Sequence, residues 1–313
     1  MNKPLASLSL DLDNAWSYLQ IHGNEEWQSY PSYLDQLVPM FLDDMAARNL
    51  KVTVFVVGKD ASLPQNRDLL RGIAESGHEI GNHSFNHLPW LDRFTAAGLR
   101  AELTEAHDAI GTATGSSTVG FRGPGFSFSA ETLSVLASLG YTYDASTLPT
   151  FIGPLARAYY FRSGDLSEEE RELRSKLFGS FTDIRRPNTA YRWATHDLME
   201  LPVTTIPLIR TPFHLSYLLW LAGISEKLAD LYLSVALAAC RATGTTPSVL
   251  IHPLDFFGGD DAPDLAFFPG MEHSGAEKRA ISGHFLDRLT DAFDFTTCRA
   301  HVEASKPSRT VTL

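Results

Sequence analysis

His78-Glu79-Ile80-Gly81-Asn82-His83-Ser84-Phe85-Asn86-His87-Leu88 is the stretch on which the reading of the fold turns. Its first four residues read as a strand. A polar, glycine-marked segment follows, with two histidines four apart. On one turn of helix, or in a loop close to it, residues i and i+4 point the same way. Two imidazoles so placed can hold one metal ion. A catalytic zinc commonly takes three protein ligands, often two His and a carboxylate, and keeps a position open for water. Taken alone, an H-x-x-x-H more often marks ordinary loop histidines. The pair gains meaning only from what the rest of the chain brings to it.

Upstream, Leu5-Ala6-Ser7-Leu8-Ser9-Leu10-Asp11-Leu12-Asp13-Asn14 alternates apolar and small polar residues, the period of a strand. Residues i and i+2 of a strand share a face, so Asp11 and Asp13 project together. Lys51 to Val57 is a β-branched run that reads as a second, doubly buried strand. Downstream, Ser117 to Phe121 runs into Arg122-Gly123-Pro124-Gly125, and Tyr141-Thr142-Tyr143 ends at Asp144. Glu200 to Thr205 reads as a sixth strand. Ser248 to Ile251 reads as a seventh, followed at once by His252. Helical stripes lie between them: Leu34, Leu37, Val38, Phe41 and Met45, then Leu99, Leu103, Ala106 and Ile110. Strands alternating with helices at this spacing predict a parallel α/β sheet, open or closed. Asp11, Asp13, His83, His87, Arg122, Asp144 and His252 all fall at or just past the C-terminal ends of expected strands. In α/β barrels those ends form one face, where active sites are built.

The chain has 313 residues, 44% of them hydrophobic, and a formal net charge of −11. That acidity argues against nucleic acid or an anionic membrane surface as a general partner. Cys240 and Cys298 stand far apart with no C-x-x-C, which suits a reducing compartment. No signal-peptide pattern opens the sequence, so a cytoplasmic location is expected. The organisation expected is one domain over 1–313, with an arginine-rich insertion at about 150–198 and an apolar helical segment at about 213–242. That segment is read as buried helices in preference to a surface that meets lipid.

Five of these elements together, Ser9-Leu10-Asp11-Leu12-Asp13, His83-Ser84-Phe85-Asn86-His87, Phe121-Arg122-Gly123-Pro124-Gly125, Tyr143-Asp144 and Leu250-Ile251-His252, resemble the ordered motifs of the polysaccharide deacetylases, carbohydrate esterase family four. The resemblance runs from residue 5 to about residue 255. It implies an α/β fold, a distorted seven-stranded (β/α) barrel. It implies a divalent metal, zinc before others, on Asp13, His83 and His87. Asp11 becomes the general base, Arg122 the residue that orients it, and His252 the acid for the leaving amine. The backbone N–H of Gly125 becomes the oxyanion donor. Asp144 becomes a support residue paired with Arg122 or His252; as a turn residue capping the next segment it is equally well explained. Asp255 reads as structural. The substrate implied is an N-acylated amino sugar: an oligosaccharide, a nucleotide sugar, or a lipid-linked head group reached by peripheral membrane contact. A homo-oligomer stays open.

Three departures from the family pattern stand out. Leu12 separates the two aspartates, as in a branch without secretion signals. Gly125 replaces a large aromatic and leaves the pocket more open. Asp144-Ala145-Ser146 lacks the usual tryptophan. Two other readings keep the fold: an amidase or deformylase on a non-polysaccharide substrate, and a carbohydrate-binding protein without catalysis.

Overall fold

The alternation of the first strand divides the molecule's interior in two. In the computed structural model, which describes residues 3–153, 168–173, 181–307 and 309–313, Leu5–Leu12 forms β1. Leu8, Leu10 and Leu12 point into the large apolar cluster with Leu34, Leu37, Val38 and Phe41 of the helix Leu34–Ala47. Ser7, Ser9 and Asp11 occupy the alternate positions, and Asp11 stands in register with Phe55. Nine further strands follow in the described residues: β2 Thr53–Val56, β3 Glu79–Asn82, β4 Gly120–Phe121, β5 Tyr143–Asp144, β6 Tyr191–Trp193, β7 Met199–Glu200, β8 Ser248–Ile251, β9 Asp294–Thr296 and β10 Thr310–Val311. Their order is β10-β6-β7-β5-β4-β3-β2-β1-β8, with β9 pairing the start of β1. Every pairing is parallel except β6 with β7.

The fold is therefore the α/β class expected, but the strand count differs. Six of the seven expected strands are present where expected; the sixth, expected over Glu200 to Thr205, is the two-residue β7, Met199–Glu200, and residues 201–204 lie outside any strand. β6, β9 and β10 are additional, and with two or three residues each they carry no periodicity that a sequence could display. The path ends at β8 and β10, so among the described residues the barrel is open between them. Tyr191–Trp193 lies inside the stretch expected as an insertion and forms part of the sheet. Residues 154–167 and 174–180 of that stretch lie outside the described residues.

The Asp11 side of the sheet is filled by rings laid on bare backbone. Phe55 pairs in register with Gly81, and Tyr143 with Gly120. A Cβ at Gly81 would stand 2.4 Å from the Phe55 ring; one at Gly120 would stand 2.1 Å from that of Tyr143. Neither distance is a real contact, so both glycines are steric requirements. Ala145, Met199, Leu201, Cys298 and Val302 complete this cluster.

The apolar segment forms two helices, Leu215–Ile224 and Glu226–Thr243, divided at Ser225, whose side chain caps the second by accepting from Leu228 N. Leu215, Leu218, Leu233 and Ala236 are buried, as expected. Trp220, Ile224, Leu228, Leu231 and Val235 are exposed, so one face of the pair reaches solvent. No helix among the described residues is long and apolar enough to cross a membrane. The first of these helices packs against β8 and the turn Pro253–Asp255.

Candidate metal centre and active site

Parallel pairing of β8, β1, β2, β3, β4 and β5 puts their C-terminal ends on one edge. The histidine pair leaves β3 there, but no helix carries it. Ser84 has φ 63° and His87 φ 54°, both in the left-handed region that few non-glycine residues adopt. Two left-handed turns, not a helical i, i+4 spacing, aim both rings the same way. Such strain persists only where neighbours over-determine it. Here Ser84 N donates to Asn82 Oδ1 (2.8 Å), and His87 N donates to Ser84 Oγ (3.2 Å). Gly58 N donates to Ser84 O at 2.8 Å. Glu102 accepts from Phe85 N (2.9 Å), Asn86 N (2.6 Å) and Asn86 Nδ2 (2.7 Å).

The acid that completes the set is Asp13, just past β1. Its Oδ1 lies 2.9 Å from His87 Nε2 and 3.3 Å from His83 Nε2. The three ligand atoms lie within 4.8 Å of one another, and all three residues are buried. Asp13 Oδ1 and both ring nitrogens of His87 make no hydrogen bond. Buried polar atoms are normally satisfied, so this crowding without hydrogen bonds needs an explanation. One carboxylate oxygen and two imidazole nitrogens form a donor set that suits a divalent metal such as zinc. His83 Nδ1 lies 2.6 Å from Arg122 O. That contact assigns the proton to Nδ1 and leaves the Nε2 lone pair toward Asp13. Burial pushes the Asp13 carboxyl upward, yet His87 and His83 hold it well below the usual range. Burial lowers His83, but Asp11 and Asp13 outweigh it and raise that imidazole. The carboxylates thus draw positive charge to the place a cation would take.

Arg122 is completely buried. It donates from Nη1 to Asp11 Oδ1 (2.7 Å) and Ser9 Oγ (2.9 Å), and from Nε to Ala145 O (3.0 Å). Its guanidinium sits 4.4 Å from the Phe55 ring centre. The other Asp11 oxygen, Oδ2, faces His83 Nε2 at 3.9 Å and His252 Nε2 at 4.0 Å. Asp11, Asp13, His83, His87, Arg122 and His252 therefore meet in one place. Asp144 stands behind them. Its Oδ1 accepts from Ser146 Oγ (2.5 Å), and it stands in register with Glu200 on the neighbouring strand; no hydrogen bond joins it to Arg122 or His252. Burial raises Asp144 to about 6, and burial with Asp144 beside it raises Glu200 well above its usual range. Ser146 Oγ in turn accepts from Gly123 N (2.8 Å), tying Asp144 to the loop after Arg122. Gly125 takes φ 58° in that loop, a conformation glycine adopts without penalty.

Several residues at the site carry no motif. Glu102 anchors the histidine loop, and its signal was present: with Leu99, Leu103 and Ala106 it falls on the buried stripe of the helix Ala96–Thr114. Ser216 Oγ lies 3.1 Å from His252 Nδ1. The His214 ring centre lies 6.5 Å from that of His252, and burial above all pushes His214 down to about 3. Glu200 looks like an ordinary strand residue in the sequence. None of these three shows its role before the chain is folded.

Comparison with known proteins adds the following. Residues 28–143 match the polysaccharide deacetylase family. That span holds His83, His87, Arg122 and Gly125; Asp11, Asp13, Asp144 and His252 lie outside it. A chitin deacetylase from Pestalotiopsis is 31% identical over 101 residues, covering 32% of this chain and 34% of that protein. A peptidoglycan deacetylase from Helicobacter pylori is 26% identical over 203 residues, covering 63% of this chain and 64% of that protein. The chain thus spans between a third and just under two thirds of the length of these relatives. A solved structure from Mycobacterium smegmatis, taken to be a polysaccharide deacetylase, superposes with a TM-score of 0.60 at 20% identity, over 100% of this chain and 95% of that one. At that identity the likeness speaks for the fold.

Proposed function

We propose that this chain is a metal-dependent hydrolase of the polysaccharide deacetylase family, removing an N-acetyl or other short N-acyl group from an amino sugar; the family match over residues 28–143 supports the reading. One observation carries the reading: the ligand atoms of Asp13, His83 and His87 converge within 4.8 Å, beside an aspartate that an arginine holds at 2.7 Å. A divalent ion held by those three residues would supply Lewis acidity and lower the pKa of a water toward about 7.

The remaining chemistry belongs to the protein. Asp11 takes the proton of the attacking water, Arg122 having fixed its carboxylate in place. The oxygen adds to the amide carbonyl, and the Gly125 N–H donates to the oxyanion. The C–N bond then breaks, and His252 delivers the proton without which an amine leaves poorly. Base and acid both face the same volume, since Asp11 Oδ2 and His252 Nε2 are 4.0 Å apart. Asp144 acts at one remove, through Ser146 and the Gly123 backbone.

Two variants test the assignment. Asp13→Ala loses bound metal by elemental analysis. Asp11→Asn keeps metal and loses about 10²–10⁴-fold in acetate release, the usual worth of a general base. Full activity in both would sink it. The substrate is sought by mass spectrometry of N-acyl sugars, free and lipid-linked, after incubation with zinc-loaded protein.

A further inference from the structure

β1 delivers the acid of the metal site one residue past its last pairing. Its register with β2 ends at Leu12 opposite Val56, so Asp13 stands beyond that ladder. A ligand that an ion must find in place then needs its main chain held by other groups. Tyr33, a buried residue, does this with two bonds. Its hydroxyl donates to Asp13 O at 2.5 Å, and its backbone N–H donates to Asn14 Oδ1 at 3.2 Å. One residue thus grips Asp13 and Asn14 together. The same Asn14 oxygen caps the helix Ala15–His22 by accepting from Ala15 N at 2.8 Å. Two backbone N–H groups on that oxygen settle which way the amide faces, and Nδ2 must donate on the other side.

Those donations reach a carboxyl that the catalytic steps leave unused. Asn14 Nδ2 donates to Asp60 Oδ1 at 2.7 Å and to Ser32 Oγ at 3.0 Å. Asp60 lies in the short helix Gly58–Ser62 that follows β2, and it is 1% exposed. Its Oδ1 also accepts from Trp16 Nε1 at 3.0 Å and Asn66 Nδ2 at 3.4 Å, while Oδ2 makes no hydrogen bond. A buried carboxyl with one oxygen unbonded is costly, so its presence needs a reason. Its visible use is as the acceptor for Asn14 and Trp16, which follow Asp13 in the chain. We propose that Asp60, acting through Asn14 and Tyr33, fixes the main chain at Asp13 and so aims its carboxylate at the place of the ion. All three are positioning residues, and the proposal rests on the reading of Asp13 as a metal ligand. Glu102 braces the histidine loop; this clamp braces the acid from the side of β2.

Zinc binding to the folded protein tests this, by competition titration against a chromophoric chelator, with circular dichroism checking that each variant is folded. Asp60→Ala and Tyr33→Phe each lower zinc affinity about 10–100-fold, the usual cost of losing a group that orients a ligand. Asp60→Asn, which keeps an oxygen for Asn14 and Trp16, stays within about threefold of wild type. Should Asp60→Ala fail to fold, Tyr33→Phe carries the test. Wild-type affinity in either, or a loss in Asp60→Asn as large as in Asp60→Ala, overturns the clamp. A role in the fold alone would lower the urea midpoint of metal-free Asp60→Ala and leave its zinc affinity where it was. Hydrogen exchange in metal-free protein supplies a readout independent of the ion. The Ala15 and Tyr33 N–H groups, both bonded to Asn14 Oδ1, exchange about tenfold faster in Asp60→Ala, and not in Asp60→Asn. Rates are taken relative to β2 amides, so that a global loss of stability cancels. Unchanged protection overturns the clamp whatever the titration shows. Wild type that binds no zinc would remove the metal reading, and the exchange rates would then decide the clamp alone.

Discussion

Replacing Arg122 with methionine keeps an unbranched side chain of similar reach and deletes the charge. In the native protein the guanidinium is fully buried, bonded to Asp11, Ser9 and Ala145, and stacked on Phe55. The variant leaves the Asp11 carboxylate, 5% exposed, without its cation. Breaking one side of a buried ion pair typically costs about 3–5 kcal/mol, because the survivor keeps its desolvation penalty. Asp11→Asn leaves the guanidinium stranded and falls in the same range of about 3–5 kcal/mol. The double variant Asp11→Asn/Arg122→Met strands no charge, so it should cost less than the sum by about 2 kcal/mol or more. Urea unfolding of all four proteins at pH 7 with chelator measures this, the m-value checking that two-state behaviour holds. Additivity within about 0.5 kcal/mol would refute the buried pair as an energetic unit.

Three further outcomes are expected. Glu102→Ala removes the acceptor of Phe85 N and Asn86 N, so the histidine loop relaxes and zinc affinity falls about 10–100-fold in a competition titration; Glu102→Gln, which keeps one oxygen, falls less. Gly123→Ala would put a Cβ 1.9 Å from Ser127 O, a backbone atom that cannot swing aside; the loop carrying Gly125 shifts, and turnover drops about 10²-fold with metal binding retained. His301 bridges Ser7 Oγ (2.9 Å) and Thr246 Oγ1 (3.0 Å) as a neutral ring, burial having pushed it from 6.5 to about 4. Its folded value is depressed, so between those values the unfolded chain binds the proton and the native state does not. Stability is therefore full above pH 6.5 and drains as pH falls, by about 2 kcal/mol at pH 5 from this group. Urea midpoints at pH 7 and pH 5 should converge for His301→Asn relative to wild type, and an unchanged gap would count against it.

What the sequence displayed and what it hid follow from one distinction. β1 announces itself because eight residues suffice to show alternation, and Asp11 and Asp13 inherit their placement from it. His83 and His87 are legible as residues but not as geometry. Their convergence depends on left-handed turns at Ser84 and His87, and neither residue advertises a positive φ as glycine would. β6, β9 and β10 are held by their neighbours and carry too few residues to declare a period. Asp144 falls where a support residue was expected, yet its partner is Glu200, a contact created by the pairing of β5 with β7. Ser216 lies in a run that hydropathy marks as helix core, and only the docking of that helix on the turn after β8 brings its hydroxyl to His252.

The two rings seated on glycine have an evolutionary consequence. Position 81 cannot gain a methyl group while position 55 keeps a phenyl, and positions 120 and 143 are bound in the same way. Substitutions at these four sites should pass only as matched exchanges, enlargement on one strand answered by reduction on its neighbour. Because the guanidinium at 122 rests on the ring at 55, such an exchange would also lower the floor beneath the active centre, so drift in this part of the sheet is constrained by catalysis as well as by packing.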